Sequence, residues 1–290
     1  MLSFNGYSDT LPEFNSANLR LSTSFRSNFN DRDTNCIINM TQNRIINNVC
    51  RINLNTVTLC NNFCNIATYN NRFSITVTTG GLPLGYSIRV PPNYYNVTTL
   101  AAELQSLISA FAGTTTVVWS ETLKRFVINT NDAGVEIEFS TSTPNNFIGN
   151  NFLYIIGLPI NGSGYTATNV DSPFPFPPNL AGCVNAYIIS NKLANSKSVL
   201  NVLGNNDTET NRDLQSQIAS EIMAIGITAP FGVYQTYTDQ GSLRGDYTLS
   251  QSICLDSIDL RLVDEFGNVL QAVGDAKNTP IYYNFRVNYQ

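Results

Sequence analysis

The sequence predicts an all-β protein, a β-sandwich interrupted by a small α+β block, and three observations point there. Apolar and polar residues alternate with a period of two through most of the chain, the signature of half-buried strands. One segment alone, at 100–111, carries a convincing helical period. The apolar runs are short and numerous, with long polar loops between them and a proline-rich stretch at 171–178.

Taken in order, Cys50, Ile52 and Leu54 alternate with Arg51, Asn53 and Asn55, and the phase then slips to Val57 and Leu59. A one-residue slip inside a strand is what a β-bulge produces. Phe73, Ile75 and Val77 lead through Gly80-Gly81 to Tyr86, Ile88 and Val90, stopping at Pro91-Pro92, which is a hairpin pattern. Leu100, Leu104, Leu107, Ile108 and Phe111 then share one helical face. Thr98 or Thr99 is the expected N-cap, Glu103 is placed in the first turn, and Gly113 provides the stop. Three short strands follow at Val117 and Trp119, Phe126 and Ile128, and Val135, Ile137 and Phe139; the first two form a hairpin around 120–124. Residues 152–159 (FLYIIGLP) read as a buried apolar segment, and 171–178 (DSPFPFPP) as a stiff connector and domain boundary.

Beyond the connector, strands are expected at 184–189 and 197–203, with a long apolar stretch at 222–237. Residues 207–220 are polar and read as a short helix or an exposed loop. Ile258, Leu260 and Leu262 form one strand face before a turn at 264–268 (DEFGN) that leads into Val269 and Leu270. Ile281, Tyr283, Phe285, Val287 and Tyr289 share one face of the last strand, and Tyr282, Asn284, Arg286 and Asn288 the other. Such a strand pairs centrally or closes a sheet. No internal repeat is visible. This inventory fits a single jelly-roll β-sandwich with a strand–helix–strand insertion domain at 73–175.

Composition bounds the partners. At 42% hydrophobic residues the chain can bury a full core, yet charged residues make up only 13%, about half the usual share. Asn, Thr, Ser and Gln must therefore cover the surface. Low charge weakens protection against association, which points to a surface covered by partners; an AT-rich coding bias explains the Asn content equally well. The formal charge of -5 argues against a broad basic face for nucleic acid. Arg20, Arg26, Arg32, Arg44 and Arg51 form a loose basic series, diluted by Glu13, Asp31 and Asp33. No apolar run reaches the roughly 18–20 residues of a membrane span, and residues 1–14 lack the basic start and apolar centre of a signal peptide. The six cysteines, Cys36, Cys50, Cys60, Cys64, Cys183 and Cys254, are accordingly expected as reduced, packed thiols of an intracellular protein. Cys60 and Cys64 could ligate zinc only with help from residues such as Cys36 and Cys50, and no metal site is expected. Sequons at Asn39, Asn96, Asn161 and Asn206 read as chance products of an Asn- and Thr-rich chain.

Catalytic chemistry is hard to place. The chain has no histidine, which removes the commonest general base and the usual metal ligand. Asp256, Asp259, Asp264 and Glu265 are the densest acidic cluster and are expected to face solvent and form turns; Asp239, Asp246 and Asp275 read as turn residues. Gly80-Gly81 lies in no Walker or Rossmann pattern. The 14 Tyr and 16 Phe mostly follow the period-two pattern and are expected in core or interface packing, with Trp119 against Leu104 or Ile108. No catalytic, cofactor-binding or metal-binding residue is predicted, and the chain is expected not to be an enzyme.

Several segments carry a resemblance. Residues 73–77 and 86–92 (YSIRVPP), then 95–104 (YNVTTLAAEL) and 118–128 (VWSETLKRFVI), are similar in character and order to a hairpin–helix–hairpin element. With 156–159 (IGLP), 184–193 (VNAYIISNKL) and 260–270 (LRLVDEFGNVL), they make the chain resemble the jelly-roll penton and minor capsid proteins of virophages, Polinton-like viruses and large (giant) DNA viruses. The resemblance covers 45–290. It implies a single jelly roll bearing an insertion, with the jelly roll at 46–72 plus 176–290 and the insertion domain at 73–175; residues 1–45 lie outside the resemblance and are expected as an N-terminal arm reaching neighbouring subunits. It also implies a homopentamer at capsid five-fold vertices, in contact with a double-jelly-roll major capsid protein and with minor capsid proteins. The protein is then a virion component assembled in the host cytoplasm, with no cofactor and no specific nucleic acid. The nearest alternative is a minor or cement capsid protein. From another class, the alternative is a carbohydrate- or receptor-binding β-sandwich of fibre-head type.

Overall fold

In the computed structural model the first and last described strands lie side by side. The residues described are 15–25, 27–28, 34–40, 45–140, 152–159, 165–194, 221–238, 246–274 and 279–290. The chain divides into two units: Met1–Asn61, Asn185–Val269 and Ala276–Gln290 form unit 1, and Asn62–Val184 with Leu270–Asp275 form unit 2. Unit 2 is wider than the block expected at 73–175 because flanking backbone is stitched into it. Phe63 bridges Ala272, Ile66 bridges Asn93, and the Cys64 N–H donates to the Gln271 carbonyl at 2.7 Å.

Strands are numbered β1 to β16 along the chain. Unit 1 holds β1 (Asn15–Ser22), β2 (Asn35–Asn39), β3 (Ile46–Cys60), β11 (Asn185–Ile189), β12 (Glu221–Gly226), β13 (Tyr234–Thr238), β14 (Asp246–Leu255), β15 (Ser257–Val263) and β16 (Tyr282–Tyr289). Their antiparallel pairing follows one rule. β1 pairs β16, β2 pairs β15, β3 pairs β13 and β14, and β11 pairs β12. That is a ribbon folded back on itself, and two further pairings, β16 with β3 and β11 with β15, wrap it. The products are a five-stranded sheet, β1-β16-β3-β13 with β14 also on β3, and a four-stranded sheet, β12-β11-β15-β2. This connectivity is a jelly roll.

Alternation decides what each sheet buries. Tyr283, Phe285 and Val287 of β16 and Ile52, Leu54, Val57 and Leu59 of β3 are buried on one sheet. Cys36, Ile38, Ala186, Ile188, Ile258, Leu260 and Leu262 are buried on the other. The last strand is central, as its two-faced pattern requires. The slip between Leu54 and Val57 is a bulge, because Asn284 and Phe285 of β16 oppose Thr56 and Leu54 and leave Asn55 unmatched. A second bulge lies near the start of β3. Asn288 and Tyr289 oppose Arg51 and Val49, so Val49 is buried while Cys50 is displaced from the inner face and donates through Sγ to the Asn288 carbonyl at 3.3 Å.

Other expectations change in tertiary context. Residues 15–22 and 35–39, within the stretch expected as an arm, are β1 and β2 of the two sheets. The apolar stretch at 222–237 is two strands in different sheets, broken around Pro230 and Gly232. The strand expected at 197–203 and the polar segment at 207–220 lie outside the described residues.

Unit 2 is built from β4 (Arg72–Thr79), β5 (Leu82–Arg89), β6 (Thr116–Ser120), β7 (Arg125–Asn129), β8 (Val135–Ser140), β9 (Thr166–Ala167), β10 (Ser172–Pro173), α1 (Val97–Ala112) and α2 (Phe152–Ile156). The sheets are β5-β4-β8-β9 and β10-β7-β6. Gly80 and Gly81, at φ +58° and +82°, make the two-residue turn whose twist suits a hairpin. Leu100, Leu104 and Ile108 of α1 are buried with Phe73, Ile75, Phe126, Ile137 and Phe139. Phe111 is not on the buried face. It is 41% exposed and stacks on Tyr86 at 4.5 Å. The N-cap is Asn96 rather than Thr98 or Thr99: its side chain accepts from the Thr99 N–H while the Thr99 hydroxyl accepts from the Asn96 N–H. Glu103 consequently falls in the second turn.

The proline-rich segment belongs to the interior of unit 2. Ser172 and Pro173 pair with β7, and Phe174 is fully buried, in edge contact with Phe126, Phe139 and Tyr165. Gly157 is required beneath it. At φ +93°, a Cβ there would lie 2.1 Å from the Phe176 carbonyl oxygen. No described helix is long and apolar enough to cross a membrane.

Two substitutions test this packing. Leu104→Ala should cost about 2–5 kcal/mol in chemical denaturation, the usual range for truncating a buried Leu, with Trp119 emission moving to the red before the far-UV β signal is lost. Asn96→Ala should cost about 1 kcal/mol through the lost cap, and Asn96→Ser should recover most of it.

Candidate assembly surface

The acidic cluster is structural where its side chains are placed. Asp259 accepts the Ser190 hydroxyl at 2.7 Å and the N–H groups of Asn191 and Lys192 at 2.9 and 3.0 Å. It thereby caps the short α3 (Asn191–Ala194) from the neighbouring strand, a role that sequence spacing hides. Asp256 pairs with the Lys192 ammonium, which with the Ser257 hydroxyl holds its carboxyl below the usual range. Asp264 is buried and accepts from the N–H groups of Phe266 and Asn268 at 2.9 and 2.8 Å, tying the 264–268 turn. Asp239 and Asp275 lie outside the described residues.

The other candidates are also absorbed into the fold. All six cysteines are free thiols, and burial pushes the Cys60 thiol up. Among the described residues no group of three or more His, Cys, Asp or Glu could hold a metal ion. Trp119 meets Phe126 edge-on at 5.6 Å and packs against the core cluster that includes Leu104 and Ile108. Burial raises the Tyr95 phenol to about 12, and its hydroxyl donates to the Pro91 carbonyl. The Asn96 sequon is the α1 capping box; Asn161 and Asn206 lie outside the described residues.

What the fold does assemble is the outward face of the five-stranded sheet. Register sets its rows: Arg20 opposite Asn284 and then Thr56, Asn18 opposite Arg286 and then Asn53, Ser16 opposite Asn288 and then Arg51. Arg20, Arg286 and Arg51 therefore run diagonally across β1, β16 and β3, each one row further on. Diagonal neighbours on a sheet face stand about 7–8 Å apart. All three are exposed, and Arg20 and Arg286 form no ion pair among the described residues. Asp246 of β14 takes the position opposite Asn53. In the same rows the Oδ1 atoms of Asn53, Asn284 and Asn288 are buried with no hydrogen-bond partner. Arg20 and Arg51 come from the basic series legible in the sequence, whereas Arg286 joins them through register alone. Arg26, Arg32 and Arg44 lie outside the described residues.

No family model matches the chain, and no curated protein matches it. Among solved structures the chain is similar to the mavirus penton protein, at 10% sequence identity and a TM-score of 0.47, over 94% of this chain and 99% of that one.

Proposed function

We propose that this chain is a structural subunit of a viral capsid, not an enzyme, and that it forms homopentamers at five-fold vertices in contact with a major capsid protein. The observation that carries the reading is the folded-ribbon strand order combined with a filled interior. Jelly rolls serve capsids, lectins and cupins, so the fold alone does not choose among them. In unit 1, Tyr283, Phe285, Ile52, Leu54 and Leu59 are fully buried inside the sandwich. The space between its sheets is occupied by side chains, and its working surfaces are the outer faces and loops. The chain as a whole is poor in charge, at 13% charged residues, a composition suited to being covered by neighbours. The similarity in sequence character to penton and minor capsid proteins supports the same reading.

Mass photometry of the full-length protein tests it. A particle five times the chain mass is expected, either for the protein alone or once the major capsid protein is added. A stable dimer under both conditions, or a monomer that binds defined sugars on a glycan array, would sink the pentamer and favour a receptor-binding role.

A further inference from the structure

A ring of identical subunits needs two different surfaces on each copy, one offered and one received. The arginine diagonal on β1, β16 and β3 is one candidate, with two cations that have no carboxylate partner among the described residues. Its counterpart lies on unit 2. The outward face of the β5-β4-β8-β9 sheet carries Glu136 opposite Thr78, and Glu138 between Thr76 and Thr166. Both glutamates are exposed, and neither forms an ion pair among the described residues.

The spacings agree. Two residues apart on one strand, the glutamates project from the same face about 7 Å apart, close to the step of about 7–8 Å between successive arginines. The glutamate face also presents Thr76, Thr78 and Thr166 in the positions beside its carboxylates. Arg72 and Arg89 sit opposite each other on the glutamate face, but four residues along β4 from Thr76, roughly 13 Å away. The chain's net charge of -5 opposes nucleic acid as the occupant.

We infer that the Arg20–Arg286–Arg51 diagonal of one copy docks on Glu136 and Glu138 of a second copy, a head-to-tail contact between two outer sheet faces. The inference rests on the pentamer reading and names the surfaces that would build it. Each exposed charge contributes little alone; across a contact that excludes water, matched pairs set register and partner choice.

Charge reversal tests the pairing in the full-length protein, with self-association followed by mass photometry over a dilution series, alone and with the major capsid protein. Arg286→Glu and Glu138→Arg should each weaken association on the order of tenfold or more, like charges now facing each other. The chain carrying both reversals should recover most of the loss. Raising the ionic strength should weaken the wild type and have less effect on Arg286→Gln, a milder variant that keeps the assay readable if reversal perturbs folding. A wild-type pentamer indifferent to both reversals, or a double variant no better than the singles, overturns the pairing and leaves the pentamer standing. A wild type that never associates overturns both. Binding of an oligonucleotide by the wild type and its loss in Arg286→Glu, with self-association unchanged, also overturns the pairing and assigns the face to nucleic acid.

Discussion

Strand β16 holds unit 1 together because it is hydrogen-bonded along both edges. It pairs residue by residue with β1, from Asn15 opposite Tyr289 to Ser22 opposite Tyr282, and on its other side with β3 from Val49 to Thr58. Removing it would leave β1 with no sheet and expose one edge of β3, the strand that β13 and β14 also need. Unpaired backbone groups are costly when buried, so the five-stranded sheet depends on the chain's last residues finding two partners far away in sequence. The Thr23 N–H to Ile281 carbonyl bond extends that closure beyond the strand. Non-local pairing of this kind also makes folding slow, since loop closure precedes its reward.

Unit 2 solves a smaller version of the same problem with aromatic rings. Phe174 sits among Phe126, Phe139 and Tyr165 at centroid distances of 5.3 to 6.0 Å, mostly edge to face, the arrangement that ring quadrupoles favour. Phe73 stacks between Phe139 and Phe152. A proline-rich strand, two sheets and two helices thus share one core, with Gly157 allowing α2 to lie directly under the backbone at Phe176. The Tyr165 phenol, raised by burial, donates to the Ser172 carbonyl at 2.6 Å and so ties the residue preceding β9 to β10.

The inner faces of the jelly roll's sheets are lined by buried apolar side chains, and its polar side chains stand on the other side of the same strands. The same alternation that sends Tyr283, Phe285 and Val287 inward sends Asn284, Arg286 and Asn288 outward. The buried face and the polar face are two readings of one strand. Altering the register by a single residue would exchange them, so the constraint that specifies the fold also fixes where the charges stand.

Much of this was legible in the sequence, and the exceptions have a common cause. The inward face of β16, the Gly80-Gly81 hairpin, the Leu100, Leu104 and Ile108 face of α1 and the bulge after Leu54 all follow from local period and turn chemistry. The Asn96 cap is also legible locally, since Asn96 and Thr99 have the spacing of a reciprocal capping pair. Other features were out of reach because they depend on partners distant in sequence. The bulge at Cys50 is defined by β16, the burial of Phe174 by the pairing of Ser172 and Pro173 with β7, and the capping role of Asp259 by where β15 meets the start of α3. The arginine diagonal belongs with these. Sequence alone determined that each strand has a wet side and a dry side, because side chains alternate whatever the strand pairs with. Only the tertiary structure decided which wet sides share a sheet, because cross-strand register is set by hydrogen bonds between segments that the chain order keeps far apart.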